Sequence, residues 1–231
     1  MLFGLFYFDW TILLVIPGLI ISIWAQIKVS TTFNKYSKIK TASGLSGHAA
    51  ARKILDANGL SHVRIEQVHG KLTDHYDPRK NVIRLSESVY YATSPAAIGV
   101  AAHEAGHAIQ YAKGYTPIKV RAKLVPVTNI GSAISMPLFF IGLIFAYYPL
   151  TIAGIILYSL VALFQLVTLP VEFNASARAM NVLSSSGMLN KTELKASRKV
   201  LTAAAMTYVA ALLTSLLTLL RLLLLANGRR R

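Results

Sequence analysis

The chain alternates between long uncharged apolar runs and shorter stretches in which apolar and polar positions are mixed. Residues 2–26 carry Asp9 as their single charge, 124–171 carry none, and 200–220 form a leucine-rich uncharged run closed by Arg221. A helix of about 20 residues crosses a hydrocarbon layer of about 30 Å. The first and last runs each suit one crossing, and the middle run is long enough for two. The Tyr147-Tyr148-Pro149 cluster divides that middle run into a tight hairpin with tyrosines at the interface. Four spans are therefore expected.

The mixed stretch between the first and second spans reads as soluble. Ser46-Gly-His opens an alanine-rich helix that stops at Asn58-Gly59. Residues 62–68 alternate as a strand should, and a second strand over 81–86 follows the turn-rich Asp74-His-Tyr-Asp-Pro78. Ser94 and Pro95 then supply a capping hydroxyl and a first-turn proline, predicting a helix over 94–113 that ends near Gly114. No internal repeat or low-complexity tract interrupts this order.

Composition sharpens the picture. Of 231 residues 54% are hydrophobic, and mean hydropathy is +0.51. Nothing basic precedes Lys28, so the first run is expected to be an uncleaved anchor with its N-terminus outside. The net charge of +15 comes from 24 basic and 9 acidic residues. The basic residues cluster over 28–53, 113–123 and 178–199, flanking the apolar runs. That distribution fits the positive-inside pattern and attraction to anionic lipid headgroups. It comes with no phosphate-cradling glycine loop or basic-aromatic signature, which argues against nucleic acid as a partner. The tail Arg229-Arg230-Arg231 runs against the pattern if the last segment crosses completely. With no cysteine, any metal must be held by nitrogen and oxygen.

The chemistry concentrates in His103-Glu-Ala-Gly-His107. On a helix, positions i and i+4 share one face, so His103 and His107 can offer two imidazoles to one metal ion. Glu104 sits beside that face as a general base for an attacking water. A catalytic zinc usually takes three protein ligands. Between Glu104 and Glu193 the chain has a single acid, Glu172, directly after the third span. Two crossings return it to the membrane face from which the second span left, so it can join the histidines. Asn174 and Ser176 are candidates to orient the ligands, Ser176 lying one turn beyond Glu172. His75 and Tyr76 are candidates to stabilise the oxyanion, and Arg178 is a further candidate for substrate contact. The strand over 81–86 is expected to offer an exposed edge to an extended peptide. His48, His62 and His69 show no ligand spacing.

Several of these segments carry a family resemblance: His103-Glu-Ala-Gly-His-Ala-Ile-Gln110, Asp74-His-Tyr-Asp-Pro78, Leu85-Ser86 and Pro170-Val-Glu-Phe-Asn-Ala-Ser176. Together they resemble the YugP-like family of neutral zinc metallopeptidases of bacterial membranes, over nearly the whole chain. The resemblance implies a membrane-embedded peptidase with Zn2+ on His103, His107 and Glu172. More distantly the chain is similar to the HtpX-like membrane gluzincins, in which an aspartate usually stands where this chain has Ser176.

The expected fold is a mainly α membrane protein, with about four transmembrane helices and a small α+β zincin-like cytoplasmic portion carrying HExxH on a helix. Its expected parts are an anchor over 1–27, a soluble α+β portion over 28–123, and a transmembrane hairpin over 124–170. A third-ligand helix with a basic loop over 171–199 and a last transmembrane helix with a basic tail over 200–231 complete it. The expected activity is endopeptidase at the cytoplasmic face of a bacterial cell membrane, on peptide or membrane-protein substrates, with room for oligomeric or accessory membrane partners. Two other readings stand beside it. A site-2-type enzyme with HExxH inside a span is disfavoured by the alanine-rich, leucine-poor 94–113 segment. A scaffold or transport-associated protein with a structural or vestigial metal site has no use for Glu104.

Overall fold

The structure, a computed structural model, describes residues 9–228. The tail Arg229-Arg230-Arg231 and the start of the first apolar run lie outside the described residues. The chain is mainly helical. A short 3-10 turn, Trp10–Leu14, leads into α1 (Val15–Ser37), and α2 (Gly47–Ala57) follows. Next come β1 (Arg64–Val68), β2 (His75–Asp77), β3 (Val82–Ser86), α3 (Glu87–Tyr90) and α4 (Pro95–Ala112). The chain ends in α5 (Thr116–Ile144), α6 (Tyr148–Ser185) and α7 (Lys191–Gly228). Among the described residues, four helices are long and apolar enough to cross a membrane: Trp10–Ser37, α5, α6 and α7.

The local signals act as expected at several ends. Ser46 Oγ accepts from the Ala49 N–H at the start of α2, and Ser94 Oγ accepts from Ala97 N–H at the start of α4. Asn58 ends α2, and Gly59 takes the left-handed φ of +71° that stops a helix there. α7 opens with a reciprocal cap that its sequence also encodes. Asn190 Oδ1 accepts from Glu193 N–H at 2.9 Å, and Glu193 Oε2 accepts from Asn190 N–H at 2.8 Å. Glu193 Oε1 in turn accepts from Ala42 N–H, tying the α1–α2 connection to this helix start.

The chain divides into two compact units. One comprises Met1–Trp24, Arg121–Val167 and Tyr208–Arg231. Inside it Gly18 lets α1 approach α7, where Thr214 Oγ1 donates to Gly18 O at 3.0 Å. A Cβ at Gly154 would fall 2.6 Å from Phe139 N, so α5 and α6 also meet backbone to backbone. Asp9 pairs with Arg221 at 2.6 Å and accepts from Thr11.

The other unit, Ala25–Val120 and Thr168–Thr207, holds the sheet and α2 to α4. Its core gathers Phe33, Ile54, Leu55, Ile83, Leu85, Ile98, Leu183 and Val200. The sheet order is β1-β3-β2, with β1 parallel and β2 antiparallel to β3. This corrects the expectation of a free edge on the second sequence-predicted strand. That strand, β3, is central and largely buried; the edges are β1 and β2, and β2 is formed by the segment read as a turn. Asp74 holds the corner: its carboxylate accepts from both Ser86 N–H (2.7 Å) and Ser86 Oγ–H (3.0 Å).

α6 does not stop where its uncharged run stops. Pro170 lies inside it, and the helix continues through Glu172 to Ser185. Position 170–171, expected to part a hairpin from a ligand helix, falls within one continuous element. α7 likewise begins in the basic stretch, at Lys191. Lysine, arginine and glutamate propagate a helix well, so loss of apolarity does not end one.

Candidate metal centre

α4 is built to let other backbones come close. Alanine and glycine fill its buried face, including Ala101, Ala102, Ala105 and Gly106. A Cβ at Gly106 would stand 2.7 Å from Ala175 O, so this glycine is required for α6 to cross α4 at the motif itself. At Gly99 the approach of α7 is close but less severe, a Cβ there standing 3.1 Å from Ser197 Cβ, and Ser197 Oγ donates to Pro95 O at 2.6 Å.

That crossing delivers the third group. Glu172 is 2% exposed, and its Oε2 stands 3.2 Å from His103 Nε2 and 3.5 Å from His107 Nε2. The three candidate ligand atoms lie within 4.8 Å of one another, and the two imidazole rings meet edge-on at 83°. Two nitrogens and a carboxylate oxygen thus converge on one point.

The outer nitrogens of both rings are engaged. His103 Nδ1 faces Ser176 Oγ at 3.1 Å, and His107 Nδ1 faces Gln110 Oε1 at 3.0 Å. The Gln110 amide is oriented by its other end, because its Nε2 donates to Val171 O (2.8 Å) and Asn174 Oδ1 (3.0 Å). Its Oε1 must therefore accept, which places the His107 proton on Nδ1 and the lone pair of the neutral ring on Nε2. An Nε2 lone pair aimed at a carboxylate oxygen is electrostatically satisfied by a cation between them. The donor set fits zinc, which takes imidazole nitrogen and carboxylate oxygen. Asn174 Oδ1 also accepts from Arg178 Nε at 2.7 Å, and the Arg178 guanidinium lies over the Tyr115 ring.

Glu104 lies beside this group, buried, and its carboxyl is pushed up to about 7. Burial is the largest cause. The charge of His103 and a hydrogen bond from the Tyr76 backbone N–H oppose it, while Asp74 and Glu172 add to it. Asp74 is itself raised by burial, with its two bonds from Ser86 working the other way.

Of the sequence-predicted residues, His103, Glu104, His107, Glu172 and Ser176 come together directly, and Asn174 reaches His107 through Gln110. Arg178 stands one link further out. The two oxyanion candidates stand outside this group. His75 is exposed, with Nδ1 on Thr73 O and Nε2 facing Arg84, because alternation along β2 sends it to the opposite face from Tyr76. Tyr76 packs on Tyr111 of α4, but its hydroxyl donates to Asn81 Oδ1, and it meets Glu104 through the backbone alone. Gln110 and Asp74 had been given no role. Gln110 follows His107 by three residues, a same-face helix spacing that could have flagged it.

Comparison with known proteins agrees with this geometry. A family model described as "Putative neutral zinc metallopeptidase" matches residues 11–227. A curated relative, "Putative membrane protease YugP" of Bacillus subtilis (strain 168), is 50% identical over 219 residues. The match covers 94% of this chain and 97% of the relative. No solved structure matches.

Proposed function

The chain belongs to that zinc metallopeptidase family, and from this premise we propose that it is a membrane-embedded, gluzincin-type endopeptidase using its HExxH motif. Its active site would face the cytoplasm. The reading is carried by one observation, the convergence of His103 Nε2, His107 Nε2 and Glu172 Oε2. Those three residues would hold the zinc, which when bound acidifies water and polarises a carbonyl. Glu104 takes the proton of the attacking water and returns it to the leaving amine. Burial raises this carboxyl in the metal-free chain, the direction that makes its carboxylate a stronger base. Ser176 and Gln110 hold the two imidazoles with their Nε2 atoms inward. The basic clusters flanking the apolar runs support the cytoplasmic orientation.

Substrate binding follows from the corrected sheet. An extended peptide adds to the outer edge of β2, where the Tyr76 N–H lies beside Glu104. The test compares purified wild type with Glu104→Gln for zinc content and casein hydrolysis. About one zinc per chain in both, with activity lower by about 10²–10⁴-fold in the variant, is the expected result. Zinc in both with equal, nil hydrolysis would replace the peptidase with a scaffold whose metal site is structural.

A further inference from the structure

α6 and α7 are joined by residues 186–190 alone, so within their shared unit they run as antiparallel neighbours. Between them lies a groove of about 310 Å³ that the proposed chemistry does not use. Its walls change character along its length. Asn181 and Arg198 lie toward the connection, and Phe173 and Ala205 lie away from it, with Thr202 and Leu201 between. On both helices this is the place where charge gives way to the apolar run. Arg198 belongs to the basic 191–199 stretch, and no charge follows Lys199 until Arg221. Arg198 is exposed, Phe173 is 47% exposed, and no acidic residue lines the groove.

A cavity that is cationic and polar at one end and apolar at the other matches an amphiphile of negative charge. A headgroup phosphate followed by the first part of an acyl chain presents those two characters in that order. Both helices also carry long apolar segments suited to a bilayer, which puts lipid within reach.

We propose that this groove binds one anionic phospholipid, with the phosphate on Arg198, Asn181 and Thr202 and an acyl chain against Phe173, Leu201 and Ala205. The site touches the metal centre from behind. Ser176 also lines the groove, and its Oγ faces His103 Nδ1 at 3.1 Å. A bound lipid thereby steadies the residue that orients His103. That consequence rests on the peptidase reading, whereas lipid binding does not.

The full chain, extracted from bilayers of equal phosphatidylglycerol and phosphatidylcholine with matched acyl chains, is examined by native mass spectrometry for retained lipid. One phosphatidylglycerol retained in preference to phosphatidylcholine is expected. Arg198→Gln should lower its retention about fivefold, the worth of one basic side chain at a membrane surface. Ala205→Trp, filling the apolar end, should lower it too, and the remote Lys53→Gln should not. Excess inorganic phosphate should leave the lipid in place. Equal retention of the two lipids, equal loss in Arg198→Gln and Lys53→Gln, or displacement by phosphate alone would overturn the proposal. So would Ala205→Trp lowering kcat/KM on casein with lipid retention unchanged, which would make the groove a peptide subsite. Zinc content and hydrolysis are read separately, so failure of the lipid site leaves the peptidase reading standing, and the reverse.

Discussion

The two units differ in how far they bury their large apolar side chains. In the unit containing the sheet, Ile54, Ile83, Leu85 and Ile98 are fully buried, as in any water-soluble core. In the other, Ile130, Ile144 and Phe145 lie 63–75% exposed, while Ser135 and Thr151 are inside. Lipid tails are as apolar as leucine, so burial of a large side chain gains little there, and small residues are chosen for close approach instead. The metal centre draws on both patterns. It is a polar group inside a water-soluble-type core, reached by the backbone-to-backbone crossing at Gly106 that membrane helices favour.

The sharpest way to break this comparison is to remove one carboxylate from each unit. Glu172 is enclosed and converges with two imidazoles, whereas among the described residues Asp9 answers Arg221 and Thr11. Glu172→Ala should lower zinc affinity by more than about 100-fold, beyond what loss of a supporting residue does. Asp9→Asn should leave zinc unchanged, as measured by competition with a chromogenic chelator. Equal zinc loss in both would mean that the site depends on the spanning unit as much as on its own ligands.

The next effect concerns Glu104 in metal-free protein. Its folded-state value of about 7, against 4.5 for an ordinary glutamate, means that the folded form holds more protons between those limits. Its contribution to stability is therefore complete below about pH 4.5 and is lost as pH rises through 7. Glu104→Gln escapes the loss. With chelator present the variant should match wild type at pH 4 and exceed it at pH 8 by up to about 3 kcal/mol. Urea unfolding at the two pH values checks this, and a gap of the same size at both would refute it.

Much of this was legible beforehand, and two of the failures share a cause. The three apolar runs and their four spans, the caps at Ser46 and Ser94, the motif histidines and Glu172 are written in residue type and spacing. Those two failures are decided by partners distant in sequence. Asp77 is a poor strand former and Asp74 and Pro78 flank it as turn residues, yet β2 forms because β3 pairs with it and Ser86 anchors Asp74. Gln110 gains its role from Val171 O and Asn174 Oδ1, which fix its amide from α6. The length of α6 and α7 was hidden because charged residues end an apolar run without ending a helix.

Gln110 also supplies a smaller test. Gln110→Leu keeps volume but leaves the His107 Nδ1–H without its acceptor, and zinc affinity should fall about 10–100-fold. Thr128→Val, at a buried position of the spanning unit, should not change it. A chelator titration of both variants decides whether the effect comes from orienting the ring or from general loss of polarity.

The smallest expected effect compares the two glycines at helix crossings. A methyl at Gly106 meets Ala175 O at 2.7 Å, and one at Gly154 meets Phe139 N at 2.6 Å. In each case the neighbour is backbone and cannot swing aside, so each alanine should cost about 1–3 kcal/mol. Their consequences should differ all the same. Ala175 lies between Asn174 and Ser176 and less than one turn from Glu172, so relief at Gly106 displaces the segment that supplies the ligand and both supporting residues. Gly154 packs where no ligand is anchored. Gly106→Ala should therefore weaken zinc binding several-fold on top of its thermal cost, while Gly154→Ala shows the thermal cost alone. Matching zinc affinities in two equally destabilised variants would mean that the crossing sets stability and that the ligands find their positions without it.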